Sequence, residues 1–263
     1  MKKEAIFAPG LPQPRVAYSP MIKAGPFLFI SGQLASDLNT GTPPEATINP
    51  GFPHHGSDIE RQTEFVCDTV EALLQAGGGT RNDVLFYTNY LTDHADMHGA
   101  ARTMQRRYGG TAPPQATIFV EELPIPGCRT EIDLIAILPA AGIKVEHLNP
   151  TNLPAMLPRG LSGSALNHYG VKSDQWIFTG GIMATDFNNG LAPTADTTPE
   201  FPYYGERARL QTAYILDQLK QILDAGGASL SDVVKAEIYL TDLHDFFRVD
   251  EVWREYFPDN PPA

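Results

Sequence analysis

The chain repeats itself at a fixed offset. Residues 62–93 align with residues 211–242 without a gap, 149 positions apart, and thirteen of the 32 aligned positions are identical. The identities include Gln-Thr at the start, Ala-Gly-Gly in the middle and Tyr-Leu-Thr-Asp at the end. A length of 263 residues allows one large domain or two ordinary ones. The repeat therefore predicts two copies of one domain. Its period is too long for the short repeating units of a solenoid.

Both copies have the same order of predicted elements. A short apolar strand (27–31 and 176–179) precedes a helix that ends at a Gly-Gly pair, followed by a buried-type strand (84–91 and 233–240). A second amphipathic helix comes next, and the first copy closes with strands over 117–120 and 130–138. This order predicts an α+β fold in which a mostly antiparallel sheet carries two helices on one face.

The offset also predicts the domain limits. The first domain covers 1–140, a segment rich in proline and glycine forms a connector over 141–163, and the second domain covers 164–263. At this offset the counterpart of Gln115 would be residue 264. The second copy therefore lacks the 25 positions matching 115–139, which include both closing strands. Either the chain is a fragment or another segment completes the second domain. We expect a fragment, because a small sheet without two strands exposes core and unpaired backbone.

Charge and composition exclude several classes of protein. The formal net charge of −12 argues against a nucleic-acid binder, which needs a basic surface for phosphates. No apolar run is long enough to span a membrane, and no signal peptide follows the N-terminus. Two cysteines cannot build a disulfide framework. These features predict a cytoplasmic protein without nucleic-acid or membrane partners.

An ordered series of short motifs gives a more specific indication. The first copy resembles the RidA/YjgF family of reactive intermediate deaminases, historically also called L-PSP endoribonucleases. No single motif is specific, but the ordered set is. The motifs, in order, are Tyr18-Ser19-Pro20, Phe29-Ile30-Ser31-Gly32-Gln33, Gln62-Thr63, Ala76-Gly77-Gly78, Asp83-Val84, Tyr90-Leu91-Thr92-Asp93, Pro113-Pro114, Leu123-Pro124 and Thr130-Glu131-Ile132.

The resemblance implies a chorismate-mutase-like fold in which the sheets of three domains form a barrel with a cleft at each interface. It implies hydrolysis of an imine or enamine, such as 2-aminoacrylate, to a keto acid and ammonia, without a metal or another cofactor. In the family, an arginine after the second helix holds the substrate carboxylate and a glutamate on the final strand positions water. A tyrosine and a Ser-Gly pair come from the neighbouring domain.

Only part of this set is present in the chain. In the first copy Tyr18, Ser31 and Gly32 match, and Glu131 matches the glutamate. Gln115 stands where the family has arginine, and Thr117 where it usually has cysteine. In the second copy Tyr169 is matched to the tyrosine, Gly180 replaces the serine and Asp250 stands at a helix asparagine position.

The change at Gln115 bears on the substrate. A paired arginine and carboxylate interact roughly twice as strongly as two neutral groups. An α-imino acid would therefore bind about tenfold or more weakly here, and Gln115 suits a neutral amide or carbonyl better. Arg129, two residues before Glu131, is a possible substitute for the arginine.

The leading hypothesis is a hydrolytic deaminase of a small imine, enamine or related C–N compound. In it Glu131 activates water, and Ser31, Gly32 and Gln115 hold the carbonyl or carboxylate. A non-catalytic, ligand-binding or chaperone-like protein is the alternative, and an endoribonuclease is disfavoured by the charge. Glu131 could also simply face solvent on an alternating strand. Because the barrel takes three domains and the chain offers two, we expect a homo-oligomer, most simply a trimer.

Overall fold

The computed structural model describes residues 2–37, 41–54, 56–109, 112–138, 144–154, 168–187, 190–203 and 205–263. The strands are β1 (Lys3–Ile6), β2 (Met21–Ala24), β3 (Phe27–Leu34), β4 (Val84–Leu91), β5 (Gln115–Phe119), β6 (Thr130–Ile137), β7 (Val145–Leu148), β8 (Gly170–Ser173) and β9 (Trp176–Thr179). The α-helices are α1 (Asp58–Gly77), α2 (Met97–Tyr108), α3 (Arg207–Ala225) and α4 (Phe246–Tyr256).

The first copy forms a sheet of six strands in the order β1-β2-β3-β6-β4-β5. Every neighbouring pair is antiparallel except β4 and β5, which run parallel. The chain reaches β5 from β4 through α2, as a parallel connection requires. The predicted α+β fold with a mostly antiparallel sheet is confirmed.

The helices cover one face of this sheet. Helix α1 begins after Ser57, whose hydroxyl accepts a hydrogen bond from the Glu60 amide, and ends at Gly78 with φ of +88°. Its buried face, which includes Val66 and Leu73, packs against the inward side chains of β3 and β6, such as Leu28 and Leu134. The other face of the sheet is left for contacts with the second copy.

The second copy forms a separate sheet in the order β7-β8-β9. Its first strand, Val145–Leu148, lies inside the segment predicted as a connector over 141–163, and it pairs with β8 as β1 pairs with β2. That part of the segment belongs to the second sheet. The repeat of this pairing was missed because β1 and β7 share no sequence motif.

The segment 233–240 differs from the prediction. It was expected to be a strand like β4, but none of its residues is assigned to a strand. The Ala236 amide donates to the Ala263 carbonyl, which repeats the bond from Tyr87 to Pro114 in the first copy. In the first copy β4 is then paired along its length with β5 and β6. A strand exists only through such partners, so the same pattern gives extended chain in one copy and a central strand in the other.

The two copies meet through the ends of their sheets. Leu85 and Ile137 form one apolar cluster with Val171 of β8. The ring of Trp176 contacts the ring of Phe27 edge to face, with centroids 5.6 Å apart. Among the described residues, no helix is both long and apolar enough to cross a membrane.

Candidate functional site

Strand β6 places Glu131 on the sheet face away from the helices. Ile132 and Leu134 are buried in the core beneath the helices, whereas Glu131 and Asp133 alternate with them and are half-buried on the opposite face. A regular strand directs alternate side chains to opposite faces, so the two carboxylates share one side. This side holds the first half of the candidate site.

A bulge in β3 gives the Glu131 carboxylate its place. Ile30 pairs with Leu134 and Gln33 with Ile132, so Ser31 and Gly32 together face a single residue of β6. A Cβ atom built on Gly32 would lie 1.7 Å from Glu131 Oε1. The carboxylate thus lies directly over the glycine, and only glycine leaves it room.

The surroundings of Glu131 favour its neutral form. Burial raises the pKa of the Glu131 carboxyl, and the nearby Asp133 carboxylate raises it further. Burial also raises the pKa of Tyr18, with a smaller contribution from the charge of Glu131. The structure therefore brings Tyr18, Gly32 and Glu131 together within one copy. The resemblance had implied that the tyrosine and glycine come from the domain next to the glutamate.

Ser31 has a structural part in this cluster. Its amide donates to the Pro20 carbonyl at 3.0 Å, and its hydroxyl donates to the Ser19 carbonyl at 2.8 Å. The predicted use of the Ser31 amide to hold a substrate oxygen would have to displace the bond to Pro20. These two bonds instead fix the strand β3 against the segment that carries Tyr18.

Gln115 and Thr117 lie on β5, apart from Glu131. Tyr90 of β4 pairs with Glu131 of β6 on one side and with Ile118 of β5 on the other. Gln115 is three residues before Ile118 on β5. With strands about 4.8 Å apart and a rise of about 3.3 Å per residue, the α-carbons of Glu131 and Gln115 are about 14 Å apart. One small substrate cannot touch both side chains within this copy.

Gln115 instead meets the second copy. The Gly181 amide donates to the Gln115 carbonyl at 2.8 Å. A Cβ atom on Gly180 would lie 3.1 Å from that carbonyl oxygen, and one on Gly181 would lie 3.2 Å from Ala116. Gly180 and Gly181, which match the family's Ser-Gly pair, thus lie against Gln115, which matches the family's arginine. Both positions belong to one chain.

Tyr169 occupies a different place from Tyr18. The Gly180 amide donates to the Tyr169 carbonyl, which repeats the bond from Ser31 to Pro20. Tyr169 therefore corresponds to Pro20. Its hydroxyl donates to the Pro154 carbonyl at 2.7 Å, and burial raises its pKa to about 12. At the repeat offset of 149 the counterpart of Tyr18 is Asn167, so the sequence match of Tyr169 to the family tyrosine is two positions out of register.

Two other residues are held elsewhere. Asp250 on α4 accepts a hydrogen bond from Arg254 at 2.7 Å, one helical turn away. Arg129 donates to Asp96 at 2.7 Å and lies 3.5 Å from Asp93. Arg129 is thus used to tie the start of β6 to the start of α2, and its guanidinium is engaged by two carboxylates. It is a poor substitute for the family arginine.

The sequence analysis missed Asp133 and Tyr90. Tyr90 lies opposite Glu131 in the β4–β6 pair, and the Asp133 carboxylate raises the pKa of Tyr90. The signal was present as the alternation Glu131-Ile132-Asp133, which puts both carboxylates on one face. In the described ranges, no group of three or more His, Cys, Asp or Glu residues is placed to hold a metal ion.

Fold and site together define a protein of two related α+β copies, of the chorismate-mutase-like type, with a half-buried carboxylate over a strand bulge. The chain belongs to the RidA/YjgF family: the family model described as Endoribonuclease L-PSP matches residues 10–138 and 162–263. Both copies are thus matched, and the resemblance is confirmed.

Each of the following relatives is similar to a stretch of this chain no longer than one copy. A RutC family protein of Pyrococcus horikoshii is 37% identical over 122 residues, which is 46% of this chain and 88% of that protein. The 3-aminoacrylate deaminase RutC of Acinetobacter baylyi is 34% identical over 92 residues, 35% of this chain and 64% of its own. The chloroplastic Reactive Intermediate Deaminase A of Arabidopsis thaliana is 32% identical over 124 residues, 47% and 57% of the two chains.

Proposed function

We propose that this chain is a hydrolytic deaminase of a reactive imine, enamine or related small C–N compound, with Glu131 as its catalytic base. The observation that carries the proposal is the half-buried Glu131 carboxylate, directly over Gly32 at the β3 bulge. Bulges beside active sites commonly direct one side chain toward a ligand. Relatives named 3-aminoacrylate deaminase and Reactive Intermediate Deaminase A support the reaction class.

The proposed reaction needs only water and one proton carrier. An enamine first becomes its imine tautomer. Glu131 takes a proton from water while the water oxygen bonds to the imine carbon, and it delivers that proton to the nitrogen, which gives a carbinolamine. Glu131 then takes the hydroxyl proton and returns it to the nitrogen, so that the C–N bond breaks. The products are a carbonyl compound and ammonia, and Glu131 ends as it began.

The charge of Glu131 predicts the pH dependence. The base must be ionised, and burial and Asp133 raise the pKa of Glu131 above its ordinary value. Activity should therefore rise with pH through a midpoint above that of a free glutamate. Tyr18 beside it also has a raised pKa and stays protonated, able to donate a hydrogen bond.

The experiment is ammonia release from 2-aminoacrylate and from 3-aminoacrylate, each generated enzymatically in the assay. Glu131→Gln keeps the size of the side chain and removes the base, so the rate above the uncatalysed reaction should fall by about 10²–10⁴-fold. Glu146→Gln, on the exposed part of β7, is the matched control and should retain full activity. Equal rates with and without the protein, for both compounds, contradict the proposal.

A second candidate, ligand binding without chemistry, is favoured by the junction of Gln115 with Gly180 and Gly181. This junction is built from backbone contacts about 14 Å from Glu131. Gln115 can exchange hydrogen bonds with a neutral amide or carbonyl there. Binding of such a compound that is weakened by Gln115→Ala and unaffected by Glu131→Gln would assign the junction this separate role.

We also propose a homo-oligomer. The two copies lie side by side and meet between β5 and the end of β9, as neighbours in a closed barrel would. Glu131, Gly32 and Tyr18 then face a position for a further domain, which another chain would supply. A trimer is the simplest proposal. Light scattering at micromolar concentration tests it, and a monomeric mass contradicts it.

A further inference from the structure

Asp133 lies at the same bulge as Glu131. Ser31 and Gly32 together face one residue of β6, and the register on either side of the bulge identifies that residue as Asp133. Glu131 and Asp133 are two positions apart on one face of the strand, both half-buried. Two carboxylates therefore border the same small region of the sheet.

The neighbouring strand holds Asp133 in place. Tyr90 of β4 pairs with Glu131 in the register, and Thr88 pairs with Asp133. The hydroxyl-bearing side chains of Thr88 and Tyr90 lower the pKa of the Asp133 carboxyl. Hydroxyl groups beside an ionised carboxylate favour its charge.

Charged side chains of the second copy act on Asp133. Glu237 stands at the repeat position of Thr88, and Tyr239 at that of Tyr90. Lys235 donates to Glu237 Oε1 at 2.6 Å, and the Tyr239 hydroxyl donates to Glu237 Oε2 at 2.8 Å. The charges of Glu237 and Lys235 act on the pKa of Asp133, and the charge of Asp133 acts in turn on Lys235 and Tyr239.

We propose that Asp133 is a positioning residue that keeps a second negative charge beside Glu131, and that Lys235 and Glu237 of the second copy set how much of that charge is present. The inference rests on the proposed function, in which Glu131 is the base. A nearby like charge makes a carboxylate a stronger base, and catalysis is most efficient when the base titrates near the working pH.

The charges around the pair act with defined signs. Burial raises the pKa of Asp133, the nearby hydroxyls of Thr88 and Tyr90 lower it, Glu237 raises it and Lys235 lowers it. Tyr18 is the group that faces Glu131 from the segment before β2, and its own pKa is raised. Loss of Lys235 should therefore raise the pKa of Asp133, and loss of Glu237 should lower it.

The first test is Asp133→Asn in the full chain, with carboxyl ¹³C NMR titration of Glu131 and the pH profile of ammonia release. Asparagine keeps the size and an acceptor oxygen for Thr88 and Tyr90 but removes the charge. The titration midpoint of Glu131 should fall, the acid limb of kcat should fall with it, and kcat at neutral pH should decrease by about threefold or more. Glu146→Gln should change none of these.

The second test uses the exposed second-copy residues, where substitution leaves the core intact. Glu237→Gln should lower the midpoint of Asp133, and Lys235→Met should raise it. An unmoved Glu131 midpoint in Asp133→Asn, or shifts of the same sign for Lys235→Met and Glu237→Gln, would overturn the inference. If the wild-type chain releases no ammonia, the proposed function fails. The titration midpoints from NMR still show whether the charge of Asp133 acts on Glu131.

Discussion

Strand β4 and the segment 233–240 share a repeat position but not an environment. Leu85 of β4 is fully buried, whereas Val234, its counterpart, is 71% exposed. The sequences at both places end in Tyr-Leu-Thr-Asp and are preceded by the same Asp-Val pair. What differs is the set of neighbours, because β4 lies between β5 and β6. Apolar residues in a repeat thus stabilise a strand only where partner strands cover them.

The largest expected effect sharpens this contrast. Leu85→Ala should lower the free energy of unfolding by about 2–5 kcal/mol, because it opens a cavity in a closed cluster with Ile137 and Val171. Val234→Ala should change it by less than about 0.5 kcal/mol, since its side chain is already in contact with solvent. Urea denaturation of both variants measures the difference. Equal losses would show that the segment 233–240 is covered in solution.

Gly32 within β3 and Gly181 just after β9 give the next comparison. Gly32 and Gly181 share a repeat position, but Gly32 lies under the Glu131 carboxylate and Gly181 against Ala116 of the other copy. Gly32→Ala must displace Glu131, so ammonia release should fall by about tenfold or more, which corresponds to about 1.4 kcal/mol in the barrier.

Gly181→Ala is the matched control for that prediction. Its added methyl group would lie 3.2 Å from Ala116, so the junction has to shift by only a few tenths of an ångström. Activity at Glu131 should stay within about twofold of wild type. A similar loss in both variants would mean that the two positions act on one site. Circular dichroism checks that each variant is folded.

The fold was predictable because helix periodicity, Gly-Gly stops and alternation are local signals, and the repeat presented each of them twice. The face of β6 that carries Glu131 followed from the same alternation. Strand β7 was not predictable, since four residues between proline-rich stretches give no period. The failure at 233–240 has a different cause, because strand pairing depends on residues distant in sequence.

The candidate site was predictable residue by residue but not in its arrangement. Glu131, Gly32 and Tyr18 were identified, yet their placement in one copy depends on the β3 bulge, which shifts the register by a residue. Gln115 was identified too, but nothing in its neighbours along the chain indicates that Gly181 of the other copy bonds to it. Arg129 looked available in the sequence, and only the three-dimensional structure shows its pairs with Asp96 and Asp93.

The smallest expected effect compares the helix pairs of the two copies. Arg107 at the end of α2 contacts Glu64, Asp68 and Glu71 of α1. At the repeat position the Tyr256 hydroxyl donates to Asp217 at 2.9 Å and to the Ala213 carbonyl at 3.4 Å.

Arg107→Met should therefore lower the free energy of unfolding by about 1 kcal/mol, and Tyr256→Phe by less than about 0.5 kcal/mol. Methionine keeps most of the apolar length of arginine, so the loss reports mainly on charge. The Arg107 effect should shrink in about 1 M NaCl, where charges are screened beyond about 3 Å, and the Tyr256 effect should not. Urea denaturation at low and high salt measures both. A salt-independent loss for Arg107→Met would mean that packing, rather than the three carboxylates, joins the helices of the first copy.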